Sequence, residues 1–174
     1  MDELKMAGAV LAAVCAAMLG FTLGNDLKRR VKLLQELYKG IVMIHQEMDY
    51  MKAPLEEAMR HAQTILEEPL SSFFRETGTR LERLPGTPFF SVWEEMVQRY
   101  LADSGLAPED LELVAALGRQ LGETEAMGAG NFLAVYEQRV RVLTEKAEEE
   151  YGNKAQLYGR LGVLGGVFLV ILLL

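Results

Sequence analysis

The two ends of this chain constrain it more than anything between them. The last fourteen residues, Leu161–Leu174, carry no charge and no amide. As a helix this run is ~21 Å long at about 1.5 Å per residue, short of the ~30 Å hydrocarbon core of a bilayer. Carrying it back to Ala155 gives twenty residues and takes in Gln156, Tyr158 and Arg160. A tyrosine ring suits the membrane boundary, and an arginine can snorkel to it. A buried core helix is the competing reading for so short a run. The run reaches the last residue without a turn or polar cap, and the expectation is a C-terminal transmembrane helix over 155–174.

The other end repeats the problem. Met6–Gly24 is nineteen residues whose one hydroxyl is Thr22, followed at once by Asn25, Asp26, Leu27, Lys28, Arg29 and Arg30. A cleaved signal peptide carries its cations before the apolar run and small residues at the cut. Here only Lys5 precedes the run. Cys15 lies between Val14 and more apolar sequence, which does not suit a lipoprotein signal. The pattern predicts an uncleaved transmembrane helix over 6–24 after a short extracytoplasmic N-terminus, 1–5. Lys28, Arg29, Arg30 and Lys32, with Lys154 and Arg160 before the second run, place the intervening 25–154 in the cytoplasm.

Residues 25–158 hold sixteen Lys and Arg against twenty-three Asp and Glu. That balance disfavours nucleic acid, because phosphate binding needs concentrated cations. The charge is uneven: 25–39 carries five cations and two acids, whereas 94–125 carries eight acids and two arginines. The basic part adjoins the membrane run, where anionic lipid favours it. A single cysteine excludes an intramolecular disulfide and any multi-cysteine metal site.

Between the ends, apolar residues recur at helical spacing and no stretch alternates at strand period. Leu27, Val31, Leu34, Tyr38, Ile41, Ile44, Met48 and Met51 extend the first helix to about Lys52, with Gly40 a soft point. Pro54, Pro69, Pro88 and Pro108 each open a further amphipathic run, as expected of a residue tolerated at a first helical position. The predicted helices are 54–66, 69–83, 88–102 and 108–121, with Thr87 as the N-cap of the third of these. Gly122, Glu123 and Thr124 interrupt the pattern. From about Glu125, Phe132, Tyr136, Val140, Leu143, Ala147 and Tyr151 lead into the second membrane run. The expected fold is all-α: an antiparallel helical bundle on two long helices that continue into the N- and C-terminal transmembrane segments.

Few residues suggest chemistry. His61 follows Glu57 by four and shares its helix face, but a di-metal bundle site needs Glu-x-x-His from two helices, and that spacing is missing. Adjacent carboxylates such as Glu94 and Glu95 diverge around a helix and make no acid–base pair. The glycines from Gly118 to Gly130 accompany no Walker lysine. Trp93, with Phe89 and Phe90, reads as core. No catalytic, cofactor-binding or metal-binding residue is assigned. One pattern exceeds the ordinary: Gly8, Ala12, Ala16, Gly20 and Gly24 fall every fourth residue, and Gly162 and Gly166 repeat the interval. Small residues at that spacing let membrane helices approach closely. The stripe is expected to pack against the second membrane helix or a neighbouring protein, and a homo-oligomer is compatible with it.

With both ends and the middle read, the chain resembles the stage III sporulation protein AB family of endospore-forming bacteria over nearly its whole length. The tail from Lys154 to Leu174 carries the most specific likeness. Gln46–Tyr50, Pro54–Ala58, the pair Phe73 and Phe74, Trp93 and Leu121–Thr124 add to it. Ala53 stands where relatives tend to have Thr, and Glu125 where they often have Asp. The resemblance implies a scaffold in the secretion-like channel between mother cell and forespore, in the mother-cell membrane around the forespore. It implies a helical domain similar to the platform (F) proteins of type II secretion and type IV pilus machines. Its implied partners are the membrane, the sporulation ATPase (stage III sporulation protein AA) and the other stage III channel components. It supplies no catalytic residue and no cofactor, so no enzyme activity is expected. The acidic 94–125 stretch, with Glu109, Asp110 and Glu112, is the expected ATPase-docking face. Two alternatives stand beside this: a small membrane-bound, metal-dependent enzyme or regulator using His61 and Glu57, and a soluble bundle with adherent ends.

Overall fold

The computed structural model describes the backbone of residues 2–84, 86–124 and 130–173. It describes the side chains of 24–84, 86–122 and 132–154, with Met18, Thr22 and Leu164. Among the described residues the regular structure is helical throughout, without a strand. The elements are α1 (Asp2–Asp49), α2 (Leu55–Gln63), α3 (Leu70–Arg83), α4 (Phe89–Tyr100), α5 (Pro108–Thr124) and α6 (Gly130–Leu173). The all-α expectation holds. Among the described residues no helix is long and apolar enough to cross a membrane. The runs 6–24 and 155–174, expected to do so, fall almost entirely on side chains outside those described.

The chain divides into two compact units, one of Lys32–Glu145 and one of Met1–Val31 with Lys146–Leu174. In the first, α2 packs on α3, α3 on α4 and α4 on α5, each helix on its successor in the chain. The α1 segment contributes Leu33, Leu34, Leu37, Ile41 and Ile44 to the core, and α6 contributes Leu133, Tyr136 and Val140. His45 of α1 meets Glu137 of α6 at 3.1 Å. In the second unit Arg30 of α1 meets Glu150 of α6 at 3.7 Å. Each unit therefore pairs its own stretch of α1 with its own stretch of α6.

An aromatic cluster forms the centre of the Lys32–Glu145 unit. Phe73 and Phe74 of α3 meet edge to face at 5.0 Å between centroids. Phe73 meets Trp93 of α4 at 4.8 Å and 78°, and Phe89 lies 5.5 Å from the same indole. Edge-to-face pairs contribute about 0.5–1.5 kcal/mol each beyond their burial. The indole N–H donates to the carbonyl of Val114 at 2.9 Å, so the ring lies across α5. One turn on is Gly118, where a Cβ would run into the indole. Gly40 plays the same part on α1: a Cβ there would stand 2.8 Å from Cε2 of Phe74. The soft point in the pattern is therefore a place of close helix approach.

Several boundaries differ from expectation. The helix α1 ends at Asp49 rather than near Lys52, because Lys52 takes a positive φ of 55°. Met51, expected on the buried face, is consequently 72% exposed. Pro54, Pro69 and Pro88 each sit one residue before their helix, and only Pro108 occupies a first helical position. Thr87 is not the N-cap of α4; that place falls to Pro88, with no side-chain cap. The helix α5 runs through Gly122 and Glu123 to Thr124 instead of stopping at Leu121. Gly122 faces α4 within that extension: a Cβ there would stand 3.5 Å from the Cβ of Phe89, an ordinary contact.

Candidate interaction surface

The expected docking acids open α5, and the structure separates them by role. Pro108 takes the first position, where its missing N–H is not needed. Asp110, three residues after Ala107, turns back so that the Ala107 N–H donates to its Oδ2 at 2.9 Å. This is the reciprocal half of a capping box. Asp110 is wholly buried as a result and presents no carboxylate to a partner. Glu109 and Glu112 are exposed. The three-residue offset from Ala107 to Asp110 was the signal, and it marks a helix start rather than a docking group.

Toward the other end of α5, Arg119 and Gly122 join the end of α3 and the start of α4 around a groove of about 860 Å³. Leu81, Leu84 and Phe90 line it together with Glu56 and Arg119. The Arg119 guanidinium stacks over the Phe90 ring at 5.8 Å. Leu84 is 47% exposed.

Charged groups elsewhere mostly tie helices together. Glu36 of α1 is buried, accepting from the Glu67 N–H at 2.9 Å and from Lys39 Nζ at 2.6 Å. Burial works against its charge, but those two hydrogen bonds and the Lys39 and Lys32 charges outweigh burial and hold its carboxyl below the usual glutamate range. Glu95 of α4 is shared by Arg80 of α3 and Arg99 of its own helix. The Arg80 hydrogen bond leads in holding Glu95 low, against a smaller opposing effect of desolvation.

Both histidines lie among carboxylates. His45 has Nδ1 3.1 Å from Glu137 Oε2 and Nε2 3.1 Å from Asp49 Oδ2. His61 has Nδ1 3.1 Å from Glu47 and Nε2 4.0 Å from Glu57. The Glu57–His61 pair read from the sequence is thus the longer of two contacts, and Glu47 and Glu137 were missed because they come from other helices. Among the described residues no group of three or more His, Cys, Asp or Glu could hold a metal ion.

Of the small-residue stripe, Gly24 is described, and a Cβ there would meet nothing within 4 Å. Gly8, Ala12, Ala16, Gly20, Gly162 and Gly166 lie outside the described side chains.

The model of the stage III sporulation protein AB family matches residues 5–174. The chain belongs to that family. As a stage III sporulation protein AB family member it has a role in stage III of sporulation, which implies a mother-cell location and interaction with other stage III proteins. No curated protein and no solved structure matches it.

Proposed function

We propose that this stage III sporulation protein AB family member is a non-enzymatic membrane platform. Both terminal runs anchor it in the mother-cell membrane around the forespore, and the helical domain 25–154 lies in the cytoplasm. There it docks the sporulation ATPase, stage III sporulation protein AA, within the secretion-like channel. The observation that carries this reading is the reach of the family match, residues 5–174. Both apolar runs belong to what the family shares, so they are not appendages to a bundle.

Cysteines introduced near Lys28 and Lys154 test the topology. An impermeant thiol reagent should leave both unlabelled in intact cells and label both after lysis. Labelling of either in intact cells would contradict a cytoplasmic domain. For the docking face, Glu109→Lys with Glu112→Lys should weaken copurification with the ATPase by at least several-fold, as reversal of rim charges slows association. Undiminished copurification would remove that face. Asp110 is left out because its loss would unravel the start of α5.

A further inference from the structure

Ion pairing divides the basic stretch of α1 into two groups. Lys32 is bound to Glu67, Lys39 to Glu36 and Arg30 to Glu150. Lys154, one turn farther along α6, is also turned to Glu150, at 3.3 Å. Lys28 and Arg29 are both exposed and stand in no recorded ion pair among the described residues. The acid nearest them along α1 is Asp26, also exposed. The two are consecutive, and they lie within five residues of the end of the apolar run at Gly24.

We infer that Lys28 and Arg29 are the pair that holds anionic phospholipid headgroups at the inner membrane surface. The inference rests on the anchored topology proposed above and adds the lipid partner to it. At the edge of the hydrocarbon, a cation meets phosphate oxygens and a negative surface potential, each near-surface Lys or Arg gaining about fivefold in affinity. A guanidinium takes phosphate bidentately, and an ammonium takes it as a point charge. A cation already held by a carboxylate gives up that partner to reach a headgroup, so Arg30, Lys32 and Lys39 gain less. Position within the basic stretch therefore matters less than which acids the fold has already supplied.

The full chain, reconstituted into vesicles of phosphatidylcholine with a minority of phosphatidylglycerol, provides the test. Flotation reads membrane insertion, and mass spectrometry of the released protein reads the lipids retained. The intact chain should float and retain phosphatidylglycerol in excess of its share. Lys28→Gln and Arg29→Gln should each lower that excess about fivefold without changing flotation. Arg30→Gln, at the same level of the helix, should change it little. Flotation with lipid retained in bulk proportion, or an equal loss on Arg30→Gln, would overturn the inference and leave the anchors standing. Failure to float in any vesicle would overturn both.

Discussion

Two residues show how narrowly the domain is fitted. Gly118 gives up its side chain so that Trp93 can lie across α5 and donate to Val114. Gly118→Ala gains up to about 1 kcal/mol of helix propensity. It also drives a methyl into a ring held by Phe73, Phe89 and a buried hydrogen bond. Overpacking of this kind costs about 1–3 kcal/mol, so net destabilisation is expected. Trp93 is the one tryptophan of the chain, so a red-shifted emission and an earlier urea midpoint would report it directly. Glu36 gives a pH dependence. Its folded carboxyl ionises below the ordinary glutamate value near 4.3. The stability it adds is fully present above that value and is lost as the pH falls through the folded one. Glu36→Gln should cost about 1.5–3 kcal/mol at neutral pH, as for hydrogen bonds to a charged group. Its stability curve should converge on that of the unaltered chain in acid; parallel curves down to acid would contradict the assignment.

At the scale of the element, the prolines and the three-four spacing made all six helices legible, because both are local properties of the chain. Trp93 was read as core for the same reason: it repeats the apolar face of Phe89, Met96 and Val97. What stayed illegible depended on other elements. Nothing near Gly40 shows that Phe74, in another helix, will press on it. Nothing near His45 names Glu137. Asp110 looked like a surface acid because burial of an N3 carboxylate is decided by the turn before it. Thr87 looked like a cap because its type is right, but Pro88 took the place. Gly40→Leu should test the contact between α1 and α3. A destabilisation of about 1–3 kcal/mol is expected from the intrusion on Phe74 and Leu66. An unchanged denaturation midpoint would mean that α1 and α3 do not approach there.

For the whole molecule, the division into two units falls inside helices rather than in loops. The breaks between Val31 and Lys32 and between Glu145 and Lys146 lie within α1 and α6. Each long helix therefore belongs to both units, and each unit pairs α1 with α6 by its own contacts. One alanine added between Val31 and Lys32 would turn everything before it by about 100° and shift it by about 1.5 Å. The partner helix, left unchanged, could not follow. A short bifunctional thiol crosslinker should join cysteines placed at positions 30 and 150 in the unaltered helices, where the native side chains meet at 3.7 Å, and join them less after the insertion, while Trp93 emission stays as before. Phase, more than length, would then be the quantity that mutation cannot alter on one side alone.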